Sequence, residues 1–590
     1  MLYLNILQLL LFRLHILQLW LFLLSFTAYC GGKKLLYILN LTPGSIFREA
    51  LYSIGFGYIL LSFGLLGLSL LGQLSGMGLV LLFGLFIAVG YRYASDFMLL
   101  LTRRISVSTS LTSSPFWSGW VLFLTLVINF SIMVEPFPSG WDSFTFYFNL
   151  ARELADAGVY VRGMYTYPVE LMYSSGFIAG HLVGLKDFTD MLGVFVAGWG
   201  GALGGLSLIA LGKQVKNVST GIVAALIYYS MPLITYFCGW EPKVETTQAF
   251  YLVLSLSAYI AWRKSKSVSF AAAIAFFLGF SIIVKITGLF TLFALGLMFI
   301  YDVALGCKKG MRNTLLTQLI VVGVGITIIV SPWFGLHLWE RNFRITRPAD
   351  LLTGKDNKLE ERGNLLSRVS LEEETTKGFS TAYIEDYGRY EGFETGWWGL
   401  EKYLPKTLAS IPLARYVTLP WDVVMITNRK DEDMVTTSLF LLILPLLAIA
   451  WIGNKKIFST FKLPKETKVL VIFSLIYFLV WIIWGRGAPW YGMGWLISLS
   501  LLVSLFILPL LKVKYISWVM VVLFAANQLL ALVLQMNRYI DPSFLQFALG
   551  KLDRNCTLEA VFPDHLEMAG IINGDEEIQS GKKFVLRVGT

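Results

Sequence analysis

Charged side chains are scarce. Only 15% of the 590 residues are Asp, Glu, Lys or Arg, where a soluble domain carries roughly 25%, so water is not the main solvent of this chain. Histidine and cysteine are scarcer still, at four each. Cys30, Cys238, Cys307 and Cys556 are scattered without metal-ligand spacing or the pairing of a disulfide framework. They exclude a cysteine-built scaffold and say little about redox compartment. The N-terminus lacks the ordered basic, apolar and small-residue regions of a cleaved signal. Arg13 and His15 fall inside the first apolar stretch, and a retained helix is expected there. An internal repeat, the mark of many transporters, is also missing.

Apolar residues are abundant, at 56% of the chain. A membrane span needs about 20 mostly apolar residues to cross about 30 Å of hydrocarbon. Such runs lie near 4–28, 55–72, 76–94, 118–135, 191–212, 219–237, 247–262, 315–336, 436–453, 468–485, 490–511 and 515–535. The run 270–301 is too long for one span and is interrupted by Lys285, so two short helices are expected to meet there. The expected fold class is an all-α polytopic membrane protein, a helical bundle of about fourteen transmembrane helices.

The net charge of +10 has a membrane explanation. Lys33 and Lys34, Arg103 and Arg104, Lys213 and Lys216, Arg263 to Lys266, Lys308 to Arg312, Lys455 to Lys468, and Lys512 and Lys514 fall in alternate loops, and cytoplasmic loops collect Lys and Arg. No nucleic-acid partner is needed to account for them. The opposite face then receives 136–190, the turn Gly239 to Glu245, the segment 337–435, the turn Gly485 to Tyr491 and the tail from 536. The expected organisation is 1–117 as N-terminal transmembrane helices and 118–535 as the transmembrane core. Within that core 136–190 is the first outer loop and 337–435 the large extracytoplasmic loop, and 536–590 follows as an extracytoplasmic tail. Connections as long as 337–435 are seldom idle, so function is sought on that face.

Three outer segments combine aromatic residues with charge. In Glu135-Pro-Phe-Pro-Ser-Gly-Trp141-Asp142-Ser143-Phe-Thr-Phe-Tyr147, Asp142 or Ser143 can cap an amphipathic surface helix that stops at Gly158. Phe144, Tyr147, Phe148, Ala151, Leu154 and Ala155 share one face of it. A Pro-started segment follows in Tyr165-Thr-Tyr167-Pro168-Val-Glu170. The plain reading of Asp142 is a helix cap. Cys238-Gly-Trp-Glu241-Pro-Lys243-Val-Glu245 places two carboxylates and an ammonium at the mouth of a span. With Glu241, Pro242 and Lys243 as the first helical turn, its backbone N–H groups face an anion; its plain reading is a solvated helix start. Lys285 costs about 2.5–3.5 kcal/mol inside an apolar run and calls for an anionic partner or an escape to the surface. Arg486, in Trp484-Gly-Arg486-Gly-Ala-Pro-Trp490-Tyr491, sits at the same level between glycines that admit a ligand. Both cations also read as interfacial anchors. With Lys243 they make a cradle suited to phosphate. The small-residue run Gly198 to Gly205 reads as close helix packing.

This pattern resembles the GT-C glycosyltransferases, the polytopic family that includes protein O-mannosyltransferases and bacterial aminoarabinose transferases. The resemblance rests on Trp141-Asp142-Ser143, Tyr167-Pro168, Glu241-Pro-Lys243-Val-Glu245, Gly279 to Gly288 around Lys285, Leu419-Pro420-Trp421-Asp422, and Arg486 through Trp490-Tyr491. It covers roughly residues 118–511 and lies in the order and sidedness of the motifs. It implies sugar transfer from a polyprenyl-phosphate-linked donor to an acceptor on the extracytoplasmic face, inverting and without a metal. Asp142 is then the base, Lys243, Lys285 and Arg486 hold the donor phosphate, and Tyr167, Glu241, Glu245, Trp490 and Tyr491 are acceptor or sugar-binding candidates. No cofactor is implied, although Asp142, Glu241 and Glu245 could share a divalent ion. The partners implied are the lipid-linked donor, membrane lipids, and a glycan, lipid or protein acceptor. The expected location is a bacterial plasma (inner) membrane, with the site facing the periplasm or exterior. The Trp-Trp-Asp motif of oligosaccharyltransferases is absent, so transfer of a preassembled oligosaccharide to Asn is not expected.

A transporter and a polysaccharide polymerase or ligase are the rival readings. The first is at odds with the missing repeat. The second usually carries Arg and His pairs in its large loop, where 337–435 has only His337, at its edge. A purely structural scaffold leaves Lys285 unexplained.

Overall fold

Each long apolar run folds into a helix whose ends are set by a few polar residues or glycines. The chain is described here by a computed structural model. It describes residues 2–102, 120–123, 125, 143, 147–160, 168–185, 190–307, 312–340, 426–427, 434–435, 463–485, 489–510, 519, 522–526 and 529. An N-terminal group comprises α1 (Leu2–Ile38), α2 (Ile46–Leu70), α3 (Gly76–Val89) and α4 (Ala94–Thr102). Next come α5 (Phe148–Ala157), α6 (Pro168–Leu182), α7 (Asp190–Val215), α8 (Val218–Tyr229) and the single turn α9 (Pro232–Thr235). The chain continues through α10 (Glu245–Ser265), α11 (Val268–Val284), α12 (Gly288–Cys307) and α13 (Arg312–Glu340). It ends with α14 (Thr467–Gly485) and α15 (Met493–Leu510). One antiparallel pair of two-residue strands, Ile426–Thr427 with Met434–Val435, is the only strand pairing among the described residues.

The helix starts follow capping chemistry. Ser45 accepts from the Arg48 N–H, Ser75 from Gly78 and Asn217 from Thr220, each interaction worth about 1 kcal/mol. Among the described residues six helices are long and apolar enough to cross a membrane, or up to eight if each bent pair is one span. The bent pairs are Gly76–Val89 with Tyr91–Leu100, at 69°, and Val218–Tyr229 with Leu233–Gly239, at 71°. The chain is a polytopic, essentially all-helical membrane protein. Of the expected spans, 118–135 and 515–535 lie mostly, and 436–453 wholly, outside the described residues.

The centre of the bundle is α10, buried from Glu245 to Trp262 and packed on α2, α7, α11, α12 and α15. It is the least apolar of the long helices there, and its polar side chains are tolerated because they find partners. Ser257 Oγ donates to Gln214 Oε1 at 2.7 Å, and Thr246 Oγ1 donates to Ala197 O at 3.0 Å. The N-terminal helices reach the same core: Tyr251 Oη donates to Gly55 O at 2.8 Å and Tyr52 Oη to Ser257 Oγ at 3.0 Å. The glycine run of α7 packs closely as expected. A Cβ at Gly200 would stand 2.5 Å from Thr247 Oγ1, and one at Gly201 would stand 2.4 Å from Cys238 Sγ, so no larger side chain fits without displacing α10 or the turn before it.

The basic end of α10 is pinned as firmly. Arg263 Nε lies 2.6 Å from Asp302 Oδ2 in α12, which also accepts from Tyr259 Oη at 2.7 Å. Lys264 Nζ lies 2.6 Å from Glu466 Oε1, just before α14. On the periphery, α13 packs on α11 and leaves Ile320, Val324, Ile328 and Phe334 exposed. An apolar outer surface of this kind suits a lipid solvent.

Candidate functional site

The amphipathic helix expected after Ser143 is α5. Phe148, Leu150, Ala151 and Leu154 are buried, and Gly158 closes the helix in the left-handed region at φ 67°, its N–H returned to Leu154 O. Leu150 was not part of the expected face. The chain beyond is tied to the end of α2 and the turn after it through Leu74 N to Gly158 O at 3.0 Å and Tyr160 N to Ser69 O at 2.8 Å. The buried hydroxyl of Ser143 donates to Pro242 O at 2.8 Å, joining the segment that follows Asp142 in sequence to the Glu241–Glu245 turn.

That turn is preceded by a π-helical turn, Tyr236–Trp240. The wide π turn takes two amides that the sequence reading assigned to an anion: Glu241 N donates to Tyr236 O at 2.9 Å and Lys243 N to Phe237 O at 3.2 Å. The first turn of α10 consequently starts at Glu245, later than the expected Glu241-Pro-Lys243. Glu245 benefits there from the positive end of the helix.

Three stretches far apart in sequence meet at this end of α10. The Lys243 ammonium lies 3.1 Å from Glu241 Oε2. It also stands over two rings, 5.2 Å from the centre of Phe237 and 5.6 Å from that of Trp490. Lys285 is ion-paired with Glu245 Oε1 and stands 5.2 Å from the centre of the Tyr491 ring. The rings of Trp490 and Tyr491 belong to one 3-10 turn, Pro489–Gly492, which Tyr477 Oη holds by donating to Tyr491 O at 3.1 Å. Cations over aromatic faces gain about 0.5–2 kcal/mol, most when desolvated.

Lys285 has the anionic partner its position called for. The two helices expected to meet there do so: α11 ends at Val284, Lys285 is extended at φ −158° and ψ 142°, and α12 begins at Gly288. Glu245 is 0% exposed, against 17% for the Lys285 side chain. Its second oxygen, Oε2, has no hydrogen-bond partner among the described residues. The buried Tyr173 hydroxyl of α6 is likewise without one among them, and that side chain is within electrostatic reach of both Glu245 and buried Glu170. An unpaired buried polar atom is costly, so these two atoms stand out among the described residues of this corner.

Of the residues proposed from sequence, Lys243, Lys285, Glu241, Glu245, Trp490 and Tyr491 come together here. Asp142, Tyr167 and Arg486 lie outside the described residues. Glu241 and Glu245, considered above as parts of a divalent-ion set with Asp142, each face a lysine. Gln248 and Tyr173 join the site although neither was singled out. The available signal for Gln248 was its place three residues after Glu245, on the same helix face.

Neither a protein-family model nor a curated protein matches the chain. Among solved structures it is similar to ArnT from Cupriavidus metallidurans bound to undecaprenyl phosphate, at 16% identity and a TM-score of 0.40, over 67% of this chain and 60% of that one. It is also similar to the archaeal oligosaccharyltransferase AglB from Archaeoglobus fulgidus in complex with an inhibitory peptide and a dolichol-phosphate. There the identity is 13% and the TM-score 0.33, over 77% of this chain and 55% of that one. The chain thus spans less than two thirds of the length of these structures. Both are GT-C glycosyltransferases, the family that the order of the motifs resembles.

Proposed function

We propose that this protein moves a sugar from a polyprenyl-phosphate-linked donor to an acceptor at the membrane surface. The observation that carries the reading is the convergence of Lys243 and Lys285 on the adjacent rings of Trp490 and Tyr491. Two desolvated ammonium groups beside aromatic faces suit a phosphate on one side and a sugar ring on the other.

In the proposed mechanism the lipid tail stays in the bilayer and the sugar phosphate enters the lysine cluster. Asp142 takes the proton from an acceptor hydroxyl, whose oxygen then bonds to the anomeric carbon. The bond from that carbon to the phosphate oxygen breaks, and the electron pair leaves with the lipid phosphate, stabilised by Lys243, Lys285 and Arg486. Attack from the face opposite the leaving group inverts the anomeric centre. Tyr167, Trp490 and Tyr491 line the sugar, and the step needs no metal. Glu241 and Glu245 orient the two ammonium groups, whose remaining N–H donors bind the phosphate. The site faces the side opposite the basic loops, the exterior of a bacterial plasma membrane.

The test is to compare by mass spectrometry the glycans and glycolipids of cells with and without the protein, and of cells carrying Asp142→Asn. Loss of one sugar substituent is expected on deletion. Asn caps a helix as well as Asp does, so the Asp142→Asn protein should fold, bind donor and lose roughly 10²-fold or more of turnover. An unchanged glycan inventory, together with no binding of undecaprenyl phosphate by the purified protein, would overturn the proposal.

A further inference from the structure

We infer that Gln248 is a positioning residue for Lys285, holding open the break between α11 and α12 so that the ammonium stays beside Glu245 and Tyr491. A broken helix leaves backbone carbonyls short of their regular helical partners. At this break Ser281 O accepts from Lys285 N at 3.3 Å and Lys285 O from Gly288 N at 2.8 Å, and one amide gives each a second donor: Gln248 Nε2 donates to Ser281 O at 3.2 Å and to Lys285 O at 3.0 Å. The orientation of the amide is fixed from its other side, where Thr287 Oγ1 donates to Gln248 Oε1 at 2.9 Å. Both N–H groups and the carbonyl of a buried side chain are therefore engaged with three residues of the break.

The consequence for Lys285 follows from the spacing on α10. Glu245 and Gln248 are three residues apart and share a face. Glu245 holds the ammonium, and Gln248 holds the carbonyl of the same residue. A lysine gripped only at its ammonium keeps four flexible side-chain bonds, on a backbone held by two local hydrogen bonds alone. Gripped at both ends by one rigid helix, it has a fixed origin and a fixed tip. Gln248 touches no reacting group and acts only through Lys285.

If Gln248 merely filled the hydrogen-bonding needs of the break, its loss would lower stability and leave Lys285 in its usual surroundings in every molecule that folds. The experiment separates the two. Full-length protein in nanodiscs is treated with an amine-dimethylating reagent, and the labelling rate of each lysine is read by peptide mass spectrometry, with Lys264, paired to Glu466, as internal reference. Gln248→Met keeps the length of the side chain and removes both donors. It is expected to raise the labelling of Lys285 roughly fivefold while Lys264 is unchanged, in line with the loss of buried hydrogen bonds. Thr287→Val, which frees the amide without deleting it, is expected to raise it less. Wild-type labelling of Lys285 in folded Gln248→Met protein overturns the inference; if that variant does not fold, wild-type labelling in Thr287→Val does so.

A second readout rests on the proposed function. With Lys285 displaced, KM for a polyprenyl-phosphate sugar should rise more than kcat falls. Altered labelling in a protein whose wild type transfers no sugar supports the positioning role and refutes the transferase reading. Unaltered labelling refutes the positioning role whatever the activity.

Discussion

At the scale of single residues, the contact between Lys285 and Glu245 makes each position depend on the other. Judged alone, an intramembrane lysine is a burden, and Lys285→Met should insert at least as well as the natural chain. With Glu245 fully buried against it, that substitution strands a carboxylate. Breaking one half of a buried pair costs about 3–5 kcal/mol. We therefore expect Lys285→Met to unfold markedly earlier than the natural protein in detergent, and Glu245→Gln with Lys285→Met to regain most of the loss. Equal midpoints for the single and double variants would show that the two groups are not coupled. The need of Lys285 for an anion was legible in the sequence, because an apolar run sets the cost of a charge locally. Its partner was not, since Glu245 looked equally suited to a ligand and only folding brings these residues together. Gln248 was hidden for another reason: one amide in a long helix resembles any other tolerated polar residue until the carbonyls opposite it are seen.

At the scale of elements, hydropathy and length found most of the described helices, and the thirty-residue run around Lys285 was correctly divided at the charge that interrupts it. Helix starts were less legible. The π turn before α10 draws in the amides of Glu241 and Lys243, and no local pattern announces a π turn. The α11–α12 break depends on one close approach. A Cβ on Gly288 would stand 2.4 Å from Ser281 O, the carbonyl that Gln248 also contacts. Gly288→Ala is expected to cost about 1–3 kcal/mol, as overpacked sites do. Gly296, on the same helix, has nothing within 4 Å of its Cβ position, and Gly296→Ala should be neutral. Heat-induced loss of the detergent-solubilised protein checks both. Equal thermal behaviour of the two variants would mean that the break tolerates a side chain.

At the scale of the whole molecule, α10 separates the candidate site from a basic loop. Its two ends, Glu245 at the candidate site and Arg263 at the basic end, stand about 27 Å apart at about 1.5 Å per residue, close to the roughly 30 Å of a hydrocarbon core. The proposed topology puts the lysine–glutamate cluster and the basic loops on opposite faces. Reporter fusions near Lys456 should be active on the cytoplasmic side and fusions near Gly378 on the other. Both reporters on one face would refute the sidedness and the placement of the site together.

The same ion pair also bears on how the chain is made. Glu245 leaves the ribosome 40 residues before Lys285, so at about 5–20 residues per second it lacks its counter-ion for roughly 2–8 s. Over that interval α10 is a helix with an uncompensated carboxylate, and lipid is a poor place for it. It can settle among hydrocarbon chains only while still sheltered, until α11 and the break bring the ammonium alongside. Membrane entry of this region is thus a joint event of three helices, timed by the synthesis of one lysine.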